Sequence, residues 1–237
     1  MDTRFIKKNK IVMKKEKLLI VQPHSDDALF CCSHILFLPQ YEVQVLTVEN
    51  DPKRILEDEK LFDFLNIPFH HLDLDFKDDS YYGFNKEYKE VTVEDAYKYL
   101  NEYFGRETVN EIEEALVKWV KNFLKNNKGY SLLVPWGVGH PFHLFVRETL
   151  QSLVSNLLYY REFPHSYKRR SQPQVEKQKQ EYSLERSVPV QEFHEVKWKL
   201  ASKFYRSQSG LQFYEQGYIK KELPEEIYSR IIDDLPF

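Results

Sequence analysis

A short apolar run that ends on an imidazole and two carboxylates constrains this chain more than any other feature. Leu18-Leu19-Ile20-Val21 is apolar and partly β-branched, the pattern of a strand buried on both faces of a parallel sheet. Pro23-His24-Ser25-Asp26-Asp27 follows one residue later, so the strand's carboxyl end delivers His24, Asp26 and Asp27 to one point. In open α/β sheets that edge is where ligands bind. A histidine with a carboxylate three residues on suits a divalent metal, and the adjacent carboxylate is left for acid/base work. The same residues admit a plainer reading, in which Asp26 or Asp27 caps the following helix and His24 is a loop residue.

A second segment repeats the arrangement. Ser131-Leu132-Leu133-Val134 is another short apolar run, broken by Pro135-Trp136-Gly137-Val138-Gly139 as a loop should break it. His140-Pro141-Phe142-His143 then leads into an amphipathic helical stretch from about Leu144 to Tyr159. Pro141 suits a first helical turn, which puts His140 at the helix mouth and His143 just inside. An HxxH pair alone is a weak metal signal. Two strand ends that bring His, Asp, Asp, His and His to one sheet edge are a stronger one.

The remaining pattern is coarser. Glu42 to Val48 reads as a second strand, Arg54 to Leu65 as the helix after it, and His70 to Asp75 as a more exposed third strand. His70 and His71 are adjacent, so they would face opposite sides of a strand and make poor joint ligands. Val91 to Phe104 and Val109 to Asn126 read as helices, as does Gln191 to Tyr205, whose Trp198 and Phe204 suit a core. Lys168 to Gln180 is charged and apolar-poor and reads as a mobile loop whose basic residues could gate an anionic substrate.

Taken in order, these segments resemble the zinc-dependent de-N-acetylases of the LmbE/PIG-L type. The first motif of that family stands here as Pro23 to His34, PHSDDALFCCSH, and the second as Gly137-Val138-Gly139-His140-Pro141-Phe142-His143. Between them lies Arg54-Ile55-Leu56-Glu57-Asp58 on a helix ending at Leu65-Asn66. Tyr159-Tyr160-Arg161-Glu162-Phe163-Pro164 and Tyr205-Arg206-Ser207-Gln208 follow. The resemblance implies an α/β fold, Rossmann-like, with a mostly parallel sheet and helices on both faces in a single domain. It implies Zn²⁺, or Fe²⁺ as an alternative, held by His24, Asp27 and His143. Asp26 would be the general base, a protonated His140 would stabilise the oxyanion, and either could deliver the proton to the leaving amine. Arg54 and, on a looser alignment, Asp79 would bind the sugar. Arg54 also admits a helix-start ion pair with Glu57 or Asp58.

Three positions depart from the family pattern. Ser33 and His34 stand where relatives keep glycines, and Phe142 replaces an aspartate thought to orient the first histidine of the second motif. Without that carboxylate His140 should be less basic and its tautomer less fixed.

Composition agrees with an enzyme of small molecules. Lys plus Arg is 34 against 37 for Asp plus Glu, a net charge of -3, which gives no reason to expect a nucleic-acid partner. No apolar run approaches the roughly 18 residues of a membrane span. Residues 1–16 read as a basic extension without the apolar region of a signal peptide, and residues 17–237 as the deacetylase-like domain. Cys31 and Cys32, adjacent on a helix, suit buried free thiols and a cytoplasmic, reducing compartment. A homo-oligomer stays open. The expected activity is removal of the N-acetyl group from an N-acetylglucosamine-type amino sugar. Another metal-dependent amide or ester hydrolase, or a non-catalytic sugar-binding relative, uses the same residues.

Overall fold

The computed structural model describes residues 14–74, 91–154, 157–188, 191–207 and 223–230. Strand β1 is Glu16–Gln22, β2 Tyr41–Thr47, β3 Phe69–His71, β4 Tyr130–Pro135, β5 Leu157–Tyr160, β6 Tyr182–Val188 and β7 Glu225–Arg230. They form one sheet in the order β3-β2-β1-β4-β5-β7-β6. The first five run parallel, and β7 pairs antiparallel with both β5 and β6. The chain is therefore a mostly parallel α/β sheet flanked by helices. β1 and β4 are neighbours in the middle, and the chain leaves β1 toward β2 on the other side. This is the point where strand order reverses and a crevice opens at the carboxyl ends.

Alternation along β1 explains why both faces are covered. Leu18 and Ile20 pack into one core with Val43, Val45 and Leu133, roofed by α1 (Asp27–Phe37), α2 (Pro52–Leu65) and α7 (Gln191–Phe204). Leu19 and Val21 point the other way, into a core with Leu46, Leu132 and Val134. That face is covered by α3 (Val93–Phe104), α4 (Arg106–Asn126) and α5 (Pro141–Gln151). A period of two with apolar residues in both phases is what a strand between two helical layers requires.

Local signals set most of the helix ends. Asp51 accepts from the Lys53 N–H at 2.9 Å ahead of Pro52, which opens α2, and Asn66 closes it in the left-handed region. Thr92 and Asp95 form a capping box at the start of α3.

Three expectations are corrected. The helix starting at His140 ends at Gln151 and not near Tyr159, because Leu157–Tyr160 is strand β5. Its Leu-Leu-Tyr-Tyr run is periodic enough for a helix, but hydrogen bonding between β4 and β7 decides the matter. Lys168 to Gln180 is no loop. It holds a 3-10 turn at Arg169–Ser171 and helix α6 (Gln172–Gln178), anchored by buried Val175 and by Gln174, whose amide donates to the Val91 carbonyl. The third strand is also shorter than expected, three residues at the sheet edge.

Candidate active site

The turn after β1 presents its carboxylates without spending them on the helix. Asp26 occupies the N-cap position of α1 but makes no side-chain cap hydrogen bond. Gln22 serves instead: its Oε1 accepts the Ala28 N–H at 2.8 Å. Asp27 turns back, and its Oδ2 accepts the His24 N–H at 3.0 Å. Asp26 has φ 96°, a left-handed conformation that costs a non-glycine residue about 1–3 kcal/mol and clusters at functional sites. Neither aspartate is a helix cap in the ordinary sense.

The loop after β4 brings the second set. His140 is the N-cap of α5, and its Nδ1 accepts the Phe142 N–H at 3.2 Å, with Pro141 in the first turn. His24 and His143, 119 residues apart in sequence, face each other with Nδ1 and Nε2 at 3.0 Å. Asp27 Oδ2 lies 3.6 Å from His24 Nδ1 and 3.4 Å from His143 Nε2. The rings of His24 and His143 each lie 4.8 Å from that of His140. His24, His140 and His143 form a buried group whose ligand atoms lie within 4.8 Å of one another and could hold a metal ion.

The donor set fits such an ion. Two imidazole nitrogens and a carboxylate oxygen converge, the combination that Zn²⁺ and Fe²⁺ accept. His143 turns its other nitrogen, Nδ1, toward the Glu162 carboxylate at 3.8 Å, the kind of partner that orients a ligating imidazole. Glu162 is fully buried and accepts the backbone N–H groups of Gly137 and Val138, so it also shapes the loop that carries His140.

Electrostatics around Asp26 come from Arg54. The Arg54 guanidinium lies 2.8 Å from Glu49 Oε1 and 3.4 Å from Asp26 Oδ2, and it donates to the Ser25 carbonyl at 2.5 Å. Its partners are thus Glu49 and Asp26; Glu57 and Asp58, the alternative partners, are engaged elsewhere. Glu57 accepts from the Ser207 amide and hydroxyl, at 2.9 and 2.5 Å, and Asp58 from the Tyr205 hydroxyl at 2.5 Å. Burial pushes the Asp26 carboxyl well above the carboxylate range, opposed by Arg54 and reinforced by Asp27. Burial also pushes His140 well below the usual histidine value, and the neighbouring His143 and His24 push the same way. Asp58, chiefly through burial, is held up to about 7.

Six of the seven residues singled out from sequence therefore meet at one crevice: His24, Asp26, Asp27, Arg54, His140 and His143. Asp79 lies outside the described residues. Phe142 is buried in the core, stacked on Phe145 at 5.8 Å and tilted against His24 at 5.5 Å. Ser33 and His34 fit by binding Glu225 of β7. Sequence reasoning missed Glu49, Glu162 and His165. Glu49 lies two residues past the end of β2, a signal that was available. His165, whose ring lies 5.0 Å from His140 and 5.4 Å from His143, carries no such signal.

Fold and site together define an α/β chain of the doubly wound kind, with a histidine-carboxylate crevice at its switch point. No protein-family model matches the sequence, and no curated protein matches it either. Among solved structures the chain is similar to a deacetylase of the teicoplanin biosynthesis pathway, crystallised with teicoplanin. The match is 15% identical over 92% of this chain and 99% of that one, with a TM-score of 0.57. At that identity the likeness establishes a shared fold. A conserved protein from Thermus thermophilus, TT1542, also matches, at 15% identity over 93% of this chain and 95% of that one, with a TM-score of 0.47.

Proposed function

We propose that this chain is a metal-dependent hydrolase that removes the N-acetyl group from an N-acetylglucosamine-type amino sugar. The observation that carries the reading is the meeting of His24, Asp27 and His143 around one point, with Asp26 beside them and outside that set. The shared fold with a deacetylase supports it, as does the resemblance to the LmbE/PIG-L family.

His24, Asp27 and His143 would hold zinc, or Fe²⁺. An ion held there would supply Lewis-acid polarisation of the acetamide carbonyl and acidification of water. His140 has a different part. Its Nδ1 is occupied as acceptor of the Phe142 N–H, so the neutral ring carries its hydrogen on Nε2 and serves as a donor to the carbonyl oxygen. Asp26 takes the proton from the attacking water and passes it to the amine nitrogen as the C–N bond breaks. Arg54 holds Asp26 in place through the same guanidinium that binds Glu49.

The test is acetate release from a panel of N-acetylglucosaminides by protein loaded with Zn²⁺ or Fe²⁺. Acetate should appear with the intact chain and not with His143→Ala. A fully metal-loaded protein that releases acetate from no member of the panel would overturn the reading and leave a sugar-binding role.

A further inference from the structure

The first N–H groups of a helix lack partners within it, and the side chain at the N-cap ordinarily accepts from one of them. In α1 the N-cap is Asp26, and a donor suited to it is the buried Ala28 N–H at the second helical position. Two effects draw Asp26 onto that donor. Capping would satisfy the N–H, and it would return Asp26 from φ 96° to the extended backbone that N-cap residues take. A carboxylate turned onto the helix end is withdrawn from the crevice and from the proton of an attacking water. Asp26 instead lies 3.4 Å from Arg54 and makes no cap hydrogen bond.

Gln22, the last residue of β1, already occupies the donor, since its Oε1 accepts the Ala28 N–H at 2.8 Å. The partners of its Nε2 fix which way the amide points. Nε2 donates to Asp58 Oδ2 at 2.8 Å and to the hydroxyl of Thr47, its neighbour on β2, at 2.6 Å. Thr47 spends its own hydrogen on Asp58 Oδ2 at 2.9 Å, so its oxygen is an acceptor toward Gln22. Tyr205 donates to the other oxygen, Asp58 Oδ1, at 2.5 Å. Both groups facing Nε2 are therefore acceptors. A flipped amide would set its carbonyl against the Asp58 carboxylate and its own N–H against that of Ala28. Gln22, Thr47, Asp58 and Tyr205 are all buried, which makes either mismatch costly.

We infer that Gln22 is a positioning residue for Asp26: clamped by Asp58 and Thr47, it caps α1 from the preceding strand and so keeps the Asp26 carboxylate in the crevice as the base. The inference deepens the deacetylase reading and rests on it for the reaction. The place of Asp26 is measured apart from turnover, so the two stand or fall separately.

The experiment compares the unsubstituted chain with Gln22→Met, which keeps the length of the side chain and removes its amide. A crystal structure of Gln22→Met should show the Asp26 carboxylate within about 3 Å of the Ala28 N–H and withdrawn from Arg54. With Zn²⁺-loaded protein and methyl N-acetylglucosaminide, kcat for acetate release should fall about tenfold or more, with KM and metal content unchanged. In an Asp26→Ala background the same substitution should change kcat by less than about twofold, because residues that act as a unit are not additive. Gln22→Glu/Asp58→Asn exchanges the two polar partners: the introduced carboxylate accepts the Ala28 N–H and the introduced amide donates to it. That variant should keep Asp26 in place and restore kcat. An Asp26 carboxylate unmoved in Gln22→Met, or a kcat loss undiminished in the Asp26→Ala background, would overturn the inference. If Gln22→Met does not fold, the exchange variant decides: Asp26 displaced although the Ala28 N–H has its acceptor overturns the inference, and Asp26 in place upholds it. Movement of Asp26 in Gln22→Met, with no acetate released even by the unsubstituted chain, would uphold the hold of Gln22 on Asp26 and count against the deacetylase reading alone.

Discussion

Replacing Glu225 with glutamine should remove an acid-sensitive contribution to the stability of this fold. Glu225 is buried at the start of β7, where Lys197 Nζ of α7 donates to Oε1 at 2.7 Å and Ser33 Oγ of α1 donates to the same oxygen. Oε2 accepts the His34 N–H at 3.0 Å and lies 2.6 Å from His34 Nδ1. Burial alone would raise the carboxyl. Lys197 and the His34 contacts outweigh it and hold Glu225 down to about 2, against an ordinary 4.5. At about 1.36 kcal/mol for each pKa unit that difference is worth roughly 3 kcal/mol. Because the folded value is the lower one, this stability is fully present above pH 4.5 and is lost as pH falls from 4.5 toward 2. Glu225→Gln keeps an acceptor oxygen but leaves the buried Lys197 ammonium, which also donates to the Phe30 carbonyl at 3.0 Å, without its counter-charge, and breaking a buried pair costs about 3–5 kcal/mol. Urea unfolding at about pH 7 should therefore show a deficit of roughly 3–5 kcal/mol, narrowing by about 2–3 kcal/mol near pH 2.5 as the native carboxyl also protonates. Lys197→Met/Glu225→Gln, which removes both charges, should recover much of the loss at neutral pH. An equal deficit at neutral and acid pH would refute the reasoning, since the cost would then come from packing and not from the charge.

The other expectations concern the crevice. His24→Ala and His143→Ala should each lose most of the bound divalent metal by elemental analysis, and full retention in both would remove the assignment. Asp26→Ala should keep its metal and lose acetate release by roughly 10²-fold or more, whereas Asp27→Ala should lose the metal; the reverse pattern would mean that the two carboxylates exchange roles. Gly139→Ala should lower the thermal midpoint by at least about 2–4 °C, from a left-handed residue costing on the order of 1–2 kcal/mol and a Cβ 2.7 Å from Ser171 Oγ. An unchanged midpoint would show that the turn at Arg169–Ser171 does not press on this loop.

Much of the fold was readable because burial is encoded residue by residue. Leu18 to Val21 announces a strand covered on both faces without reference to anything distant. His140-Pro141 marks a helix start because proline's fixed φ and missing N–H suit the first turn and little else. Where neighbours compete, the same reasoning fails. Leu157–Tyr160 continues a helical periodicity, and only the open edges of β4 and β7 make it a strand. Lys168 to Gln180 looks solvated by composition, yet one buried valine and the Gln174 contact to Val91 suffice to pin it as turn and helix.

The sequence by itself determined which groups stand at the carboxyl ends of β1 and β4, because strand, turn and helix start are each local signals. It could not determine that these ends adjoin. That depends on β4 pairing with β1 on the side away from β2, and on His24 and His143 meeting across 119 residues of chain. The partners of the site were still less accessible. Glu49 answers Arg54, Glu162 answers Gly137 and Val138, and Glu225 answers His34 across 191 residues. A buried carboxylate must find donors because desolvation is costly, but which donors it finds is set by sheet order and helix packing. Tertiary structure alone fixes those distances.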